Sequence, residues 1–331
     1  MSVIAVLIRL LRHATDLVAP FAFNRMGFEL NRRGFEPGDL PEDAGGRIAL
    51  VTGANSGIGL ATSRELARRK FDVWMLCRDP ARGAEARDAV ARECGGERVH
   101  LAIVDMSSLA SIRRFARDFP RSHVDVLVHN AGVLPHEKKL TDDGVELTFA
   151  TSVLGPFLMT GLLLERLSRS SDARVIFVAS GGLYAQRLDL ALLDVEAASF
   201  DGVRAYANAK RAQAILAHVL ADRYRGAAPI TFASMHPGWA DTTAVRTSLP
   251  KFHKTMEKVL RTAEQGADTV VWLAASQRPK GTNGKFWFDR RVAIEYPLPW
   301  TRESRTTREQ LFELCERLSG MKLGLPIETA A

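Results

Sequence analysis

The residues YANAK, at positions 206 to 210, place a tyrosine and a lysine four positions apart. On a helix Tyr206 and Lys210 would share one face, because positions i and i+4 are neighbours. A free tyrosine has a pKa of about 10, and a nearby ammonium group lowers that pKa by stabilising the phenolate. Such a pair can give a proton to a carbonyl oxygen or take one from an alcohol. The same spacing occurs by chance on ordinary helices, so the rest of the chain must decide.

A glycine-rich loop follows a short apolar run near position 50. The run IALV leads into TGANSGIG, which places Gly53, Gly57 and Gly59 between a predicted strand and a predicted helix. The first glycine permits a tight turn, the second lets the backbone approach a pyrophosphate, and the third allows close helix–strand packing. Free N–H groups at the start of the helix would face the phosphates. In this context the motif predicts a dinucleotide site rather than a merely structural turn.

The end of the second predicted strand bears on the choice between NADP and NAD. Arg78 follows Gly59 by nineteen residues, where an acidic residue would accept the ribose hydroxyls of NAD. An arginine instead suits a 2′-phosphate, so the sequence favours NADP. Asp79 comes next and could be the acidic partner, which keeps NAD as the alternative; Arg78 could also be a solvated surface charge.

From Arg47 onward, short apolar strands alternate with helical segments. This order predicts an α/β protein with a parallel sheet that helices cover on both faces. Right-handed crossovers then give a Rossmann-type doubly wound fold of about seven strands. Residues 47–290 are predicted to be one NAD(P)-binding catalytic domain. Residues 1–46 are predicted to hold an amphipathic helix and, from residue 24, a linker; residues 291–331 are predicted to hold a loop and a C-terminal helix.

The first 23 residues have apolar side chains at helical spacing, with Arg9, Arg12, His13 and Asp16 on the opposite face. No apolar run approaches the ~20 residues that span a bilayer. The arginines follow the apolar residues rather than preceding them, which misfits a secretory signal. The helix is expected to pack on the protein's own surface or on a second subunit. The alternative is peripheral contact of residues 1–23 with a membrane surface.

Composition excludes several classes of function. The chain of 331 residues is 46% hydrophobic and 25% charged, as in soluble globular proteins. Its formal net charge is +7, but the Lys and Arg residues form no run of five, so no nucleic-acid partner is expected. Cys77, Cys94 and Cys315 form no C-x-x-C pair, which fits a reducing, cytoplasmic compartment. No His, Asp or Glu cluster has ligand spacing, so no metal is expected.

Together these motifs resemble the short-chain dehydrogenase/reductase family. TGANSGIG is similar to its cofactor loop, VHNAG (128–132) to its N-N-A-G motif with His129 for the first Asn, and HPGW (236–239) to its P-G motif. VAS (178–180) ends the fifth predicted strand, where the family keeps its catalytic serine, and YANAK fits Y-x-x-x-K. The motifs follow the family's order over about residues 47–290. A narrower likeness to one member covers nearly the whole chain, and the C-R-D step at 77–79 is also similar to retinol dehydrogenases.

The resemblance implies catalytic roles for Ser180, Tyr206 and Lys210. Tyr206 would be the general acid or base, Ser180 would orient the substrate oxygen, and Lys210 would also bind the nicotinamide ribose. Asp105 would meet the adenine, although it could instead cap a helix, as could its neighbours Ser107 and Ser108. The implied cofactor contacts, including those reasoned from the residues, are Gly53, Asn55, Ser56, Gly57, Ile58, Gly59, Arg78, Asp105, Asn130, Ala131, Gly132, Tyr206, Lys210, Pro237, Gly238 and Thr242.

The segment after the sixth strand is expected to set the substrate. Its apolar pocket candidates are Trp239, Leu249, Phe252 and Met256, with residues 181–184 as the opposite wall and His253 in solvent. These residues suit a small hydrophobic aldehyde, ketone or secondary alcohol. The leading hypothesis is an NADP-dependent carbonyl reductase or alcohol dehydrogenase. The alternatives are a non-catalytic NADP-binding sensor or scaffold, and a membrane-surface protein acting through its first helix. By resemblance, a homodimer or homotetramer is also open.

One residue departs from the family's pattern. The family usually has a catalytic asparagine in N-x-L-G, where it holds a water that relays protons through the lysine; here the run is S-V-L-G, with Ser152 at that position. We predict that Ser152→Asn keeps or raises the turnover of hydrophobic aldehydes in an assay of NADPH oxidation, because the longer amide holds the water better. A large loss of turnover would show that the position is misassigned.

Overall fold

In a computed structural model, which describes residues 22–193 and 196–324, the chain forms one eight-stranded sheet in the order β3-β2-β1-β4-β5-β6-β7-β8. The strands are β1 (Ile48–Thr52), β2 (Asp72–Cys77), β3 (Val99–Ile103), β4 (Val126–His129), β5 (Ala173–Val178), β6 (Ile230–Met235), β7 (Lys285–Phe288) and β8 (Arg291–Val292). All pairs from β3 to β7 are parallel, and only β7 and β8 run antiparallel.

Helices cover both faces of this sheet. They are α1 (Arg25–Arg32), α2 (Gly57–Arg68), α3 (Pro80–Cys94), α4 (Leu109–Asp118), α5 (Leu147–Ser168), α6 (Gly202–Arg223), α7 (Thr243–Ser248), α8 (Pro250–Met256), α9 (Ala263–Ala275) and α10 (Arg305–Ser319). Successive residues of β1 point to opposite faces, so Ile48 and Leu50 join a different buried cluster from Ala49 and Val51. The first cluster includes residues of α4, α5, α6 and α10, and the second includes residues of α2, α3 and α9. This confirms the predicted Rossmann-type doubly wound fold.

The short strand β8 was not predicted. It pairs with β7 through a two-residue connection, Asp289 and Arg290, whose φ angles are 47° and 58°. Positive φ at both central residues is the geometry of the tightest hairpins, which usually contain Gly or Asn there. Because neither residue is Gly or Asn, the sequence carried no hairpin signal. The sheet therefore has one more strand than the seven expected.

The segment predicted as a linker, residues 24–46, contains helix α1. Its amino terminus is capped by Asn24, whose Oδ1 accepts a hydrogen bond from Gly27 N at 3.0 Å. Phe28 and Asn31 of this helix are buried against the domain. The linker prediction is wrong for these eight residues, which form a helix that includes Gly27; the other glycines and the prolines of the segment lie after the helix. The predicted amphipathic helix falls almost wholly outside the described residues, and the division of the chain at residues 46 and 290 stays a prediction.

Helix α5 is the one described helix that is long and apolar enough to cross a membrane, but 78% of its most apolar window is buried inside the protein. The sheet covers one side of it, and α10 covers another. Phe312 of α10 packs edge-on against Phe157 at 5.3 Å between ring centroids, and the Arg223 guanidinium stacks 3.8 Å from the Phe312 ring. Burial by both partners makes α5 a core helix. Its early turn Ala150–Leu154 is π-helical and carries Ser152.

Candidate active site

The residues predicted from sequence meet at one edge of the sheet. Parallel strands present their carboxyl ends on the same side, so the loops after β1, β4, β5 and β6 converge there. The glycine loop follows β1, and residues 130–132 follow its neighbour β4. Ser180 follows β5 by two residues, and residues 237–238 follow β6 by the same interval. Between β1 and β4 the strand order reverses, which is where open α/β sheets bind ligands.

The glycine loop has a shape that only glycines allow. Gly53 and Gly57 have φ angles of 64° and 53°. A Cβ added at Gly59 would lie 2.3 Å from the carbonyl oxygen of Gly53 and 2.5 Å from Nδ2 of Asn130. The side chain of Ser56 makes no capping hydrogen bond to α2, so the first backbone N–H groups of this helix are left for an anion. The loop therefore fits a pyrophosphate, as its sequence predicted.

Thr52 ties the glycine loop to the loop after β4. Its Oγ1 accepts hydrogen bonds from the backbone N–H groups of Asn130 and Ala131, both at 3.0 Å, and donates one to the Val128 carbonyl at 3.2 Å. Asn130 returns the link, because its Nδ2 donates to the Thr52 carbonyl at 2.9 Å. Sequence reasoning missed Thr52, although it immediately precedes Gly53. Asn130 thus holds the two loops together and leaves the backbone of residues 131–132 as the surface beside the glycine loop.

The hydroxyl of Ser180 lies close enough to Tyr206 to act on the pKa of the phenol, which it lowers. Tyr206 lies in the first turns of α6, which begins after Asp201, whose carboxylate accepts hydrogen bonds from the N–H groups of Val203 and Arg204. The Nζ of Lys210 lies 5.4 Å from the centroid of the Tyr206 ring. The structure therefore brings together the three side chains that the sequence singled out.

The pKa of Tyr206 contradicts one expectation. Lys210 was predicted to lower that pKa, but burial raises it to about 12, only partly offset by the nearby Ser180 hydroxyl. Part of the Tyr206 residue is exposed to solvent. The rise in its pKa therefore comes from the burial of its hydroxyl end. Burial also lowers the pKa of Lys210, to about 7. Lys210 is thus only partly charged near neutrality, and Tyr206 is a neutral phenol there.

The amine of Lys210 is held by two acceptors. Its Nζ donates to the carbonyl of Val178 and to Oε1 of Gln213, both at 2.9 Å. Gln213 is fully buried one turn further along α6, and it was missed because its effect on Lys210 depends on the i, i+3 geometry of that helix. A Cβ added at Gly132 would lie 3.4 Å from Lys210 Nζ and 3.7 Å from Ser152 Oγ. Ser152 Oγ is buried with no hydrogen-bond partner among the described residues, so it lines the same small space as the lysine.

The polar residues predicted near the adenosine part of the cofactor differ in whether they already have hydrogen-bond partners within the protein. Asp79 caps α3, because its Oδ1 accepts from Arg82 N at 3.0 Å. Arg78 beside it is exposed and has no hydrogen bond or ion pair with another described residue. Asp105 accepts from the N–H and hydroxyl of Ser107, while Ser108 caps α4. The capping alternative therefore belongs to Ser108, and the adenine contact of Asp105 stays a prediction.

The loop after β6 closes over the glycine loop. Thr242 caps α7, and a Cβ added at Gly57 would lie 3.2 Å from its methyl carbon. Gly238 has a φ of 72° and leaves no room for a Cβ, which would lie 2.5 Å from Nε of Arg261. Thr242 thus stands across from the phosphate loop, as the prediction for the nicotinamide end requires.

Aromatic rings cluster beside Ser180. Trp239 packs edge-on against Phe252 at 5.4 Å and against Phe23 at 5.8 Å, and Tyr184 stacks on Phe23 at 5.7 Å. His253 was expected to be solvated, but its side chain is largely buried. Its Nε2 lies 3.1 Å from Oδ1 of Asp241. The pocket candidates Trp239 and Phe252 and the wall residue Tyr184 therefore belong to one apolar surface, to which the unpredicted Phe23 also belongs.

We predict that the buried Lys210 makes stability rise with pH between about 7 and 10. Its folded pKa of about 7 lies below the ordinary 10.5, so the unfolded chain binds more protons in this window. Relative to Lys210→Met, the free energy of unfolding in urea should increase by about 1 kcal/mol per pH unit between pH 7 and 9, without nucleotide. The exposed Lys251→Met serves as control. A parent–variant difference that stays constant over this range would contradict the burial of a titrating amine.

Comparison with known proteins agrees with this geometry. Residues 47–253 match the family model of the short chain dehydrogenases. Human dehydrogenase/reductase SDR family member 12 is 40% identical over 90% of this chain and 94% of its own length, which confirms the narrower likeness. Human retinol dehydrogenase 11 is 32% identical over 86% of this chain and 87% of its own length.

A solved structure extends the agreement to three dimensions. The crystal structure of an uncharacterized protein from Mycobacterium Paratuberculosis is 29% identical, with a TM-score of 0.68, and the match covers 88% of this chain and 100% of that one. The family match spans more than half of the chain and includes the glycine loop and the Ser180, Tyr206 and Lys210 positions. The chain therefore belongs to the short-chain dehydrogenase family, as an oxidoreductase with a nicotinamide-nucleotide site on a Rossmann-type sheet.

Proposed function

We propose that the protein is an NADP-dependent oxidoreductase that moves a hydride between nicotinamide and a hydrophobic carbonyl or alcohol. The observation that carries this proposal is the grouping of Ser180, Tyr206 and Lys210 at the sheet edge that also holds the glycine loop, with the Lys210 Nζ 5.4 Å from the centroid of the tyrosine ring. The nicotinamide supplies or accepts the hydride when it is bound. The side chains of this chain orient the substrate oxygen and move the proton.

Tyr206 is the proton donor in this proposal. At neutral pH it is a phenol, since its pKa is raised to about 12, and a neutral phenol can donate to a carbonyl oxygen that becomes an alkoxide. The Ser180 hydroxyl lies near Tyr206 and can donate to the same oxygen, which would hold the carbonyl between the two groups. Lys210, whose pKa is about 7, can then return a proton toward Tyr206 at neutral pH. In the reverse direction the phenolate of Tyr206 takes the proton from an alcohol, and the raised pKa of Tyr206 restricts that direction to high pH.

The choice of NADP rests on Arg78. Its guanidinium is exposed beside the end of β2 and is not engaged with another described residue, whereas Asp79 is committed to capping α3. A free guanidinium at this position suits the 2′-phosphate, and a capping carboxylate is less able to accept ribose hydroxyls. The residues that would hold the nucleotide are Gly53, Asn55, Ser56, Gly57, Ile58, Gly59, Arg78, Asp105, Asn130, Ala131, Gly132, Tyr206, Lys210, Pro237, Gly238 and Thr242.

A second candidate function is a non-catalytic NADP-binding sensor or scaffold. Ser152 favours it, because its short side chain replaces the asparagine and its hydroxyl has no hydrogen-bond partner among the described residues. The raised pKa of Tyr206 also removes the phenolate that alcohol oxidation would use at neutral pH. The enzyme is the better-supported function, since Ser180, Tyr206 and the buried Lys210 lie together at one site.

We further propose a cytoplasmic protein with a small hydrophobic substrate and no nucleic-acid partner. Peripheral membrane contact through residues 1–23 remains part of the proposal, and it rests on the sequence of those residues alone. Helix α10 lies on α5 and α6, with Phe312 packed on Phe157 and Arg223, so these two helices are already partly covered within the chain. A homodimer or homotetramer is also part of the proposal, with the areas of these two helices under α10 left out of any interface.

We predict that Tyr206→Phe lowers the turnover of decanal with NADPH by about 10²- to 10⁴-fold, because the proton donor is lost. NADPH affinity, measured by quenching of tryptophan fluorescence, should change less than threefold. The control is Tyr224→Phe, which removes another buried hydroxyl, one that donates to the Gly324 carbonyl at 3.0 Å. Turnover that survives in Tyr206→Phe would refute the acid role, and a folded parent that binds NADPH but reduces no hydrophobic aldehyde would favour the sensor.

A further inference from the structure

Residues 22–24 are built into the domain beside the loop after β6. The carbonyl of Phe23 accepts hydrogen bonds from Trp239 N at 2.8 Å and from Arg261 Nε at 3.0 Å. The carbonyl of Ala22 accepts from Nη2 of Arg261 at 2.7 Å, and Arg25 N donates to the Val259 carbonyl at 2.8 Å. Both sides of Phe23 are therefore fixed through their backbone.

A buried ion pair holds this attachment in place. The guanidinium of Arg261 binds both carboxylate oxygens of Asp289, at 2.6 and 2.9 Å, and each side chain is only 1% exposed. Asn31 of α1 donates to the same carboxylate at 2.7 Å. An ion pair this buried is tolerated because its donors and acceptors are satisfied, and the carbonyls of residues 22–24 supply part of that satisfaction. The position of Phe23 is therefore built into the core of the domain.

Phe23 is only 6% exposed, and four aromatic side chains surround its ring. Tyr184 stacks on it, while His236, Trp239 and Phe288 meet it edge-on at 4.6, 5.8 and 5.4 Å between ring centroids. His236 is uncharged in this setting, since burial, and then the charge of Arg261, lower its pKa. The surroundings are thus apolar or neutral on every side for which a ring contact is described.

Two glycines connect this aromatic cluster to the catalytic groups. A Cβ added at Gly181, the residue after Ser180, would lie 3.1 Å from Cε2 of Phe23. A Cβ added at Gly182 would lie 3.8 Å from Ser180 Oγ and 3.7 Å from Cβ of Ala207, the residue after Tyr206. The bare backbone of this glycine pair therefore separates the Ser180–Tyr206 pair on one side from the ring of Phe23 on the other.

We propose that Phe23 closes the apolar end of the substrate site and so limits the length of the substrate's hydrocarbon part. This inference rests on the proposed function, in which Ser180 and Tyr206 hold the oxygen of a hydrophobic carbonyl or alcohol. The hydrocarbon part then extends along residues 181–184 and Trp239 and ends against the Phe23 ring. Phe23 is a specificity-determining residue that the chain supplies from outside its 47–290 region, and its rigid backbone attachment prevents it from yielding to longer chains.

The test measures binding rather than turnover. Full-length protein saturated with NADPH is titrated calorimetrically with butan-1-ol and octan-1-ol, because an alcohol and the reduced nucleotide cannot react. We expect Phe23→Ala to raise the ratio of the butanol Kd to the octanol Kd about tenfold, since the space left by the ring admits additional methylenes. Phe23→Leu, which retains most of the packing, should raise the ratio about threefold and serves if the alanine variant does not fold.

The matched control is Phe28→Ala. Phe28 is also a buried phenylalanine of the N-terminal segment and lies 5.2 Å from the Arg261 guanidinium, but its described aromatic contact is Phe35. In Phe28→Ala the ratio of the butanol Kd to the octanol Kd should stay within twofold of the parent value. An unchanged ratio in the folded Phe23 variants would overturn the inference, as would an equal rise in Phe28→Ala or an absence of octanol binding throughout. Whether the parent turns over an aldehyde is decided separately by Tyr206→Phe, so the two proposals fail on different measurements.

Discussion

The hydrogen bond from the Lys210 amine to the Val178 carbonyl joins helix α6 to the end of strand β5, and the site depends on that junction. Ser180 lies two residues beyond Val178, and Tyr206 lies one helical turn before Lys210, so one contact sets the register of both. Burial lowers the pKa of the amine and raises that of the phenol. The chain thereby accepts an electrostatic cost at the place where a proton must move, which is typical of functional sites.

A second constraint acts from the far side of the loop after β6. The buried pair of Arg261 and Asp289 joins that loop to the β7–β8 turn, and it also binds the carbonyls of residues 22–24. The same guanidinium packs over the rings of Phe28 and Phe288. A segment far from the catalytic residues in sequence thus becomes part of the surface beside them. The pocket candidates Trp239 and Phe252 are held by this arrangement as well as by their own loop.

The sequence predicted those features that are local or periodic. Apolar strands alternating with helices gave the sheet, and glycines next to a strand gave the loop, because each signal lies within a few adjacent residues. Gln213, Thr52 and Phe23 were missed, since their roles come from contacts with residues distant in the chain or one turn away. The shift of the Tyr206 pKa was predicted in the wrong direction. The prediction considered the charge of the neighbouring lysine but not the burial of the tyrosine itself. Helix α1 and strand β8 were missed because they are short and are stabilised mainly by tertiary contacts.

The most direct measurement is the affinity of the purified protein for NADPH and for NADH, followed by quenching of tryptophan fluorescence, in the parent and in Arg78→Gln. The account predicts that NADPH binds at least about tenfold more tightly than NADH, because a guanidinium–phosphate pair is a charge-assisted contact. Arg78→Gln should remove that preference and leave NADH affinity unchanged. Equal affinities in the parent would show that Arg78 is a surface charge that does not contact the 2′-phosphate. If folded protein bound neither nucleotide, the proposal of a nicotinamide-dependent enzyme would be contradicted.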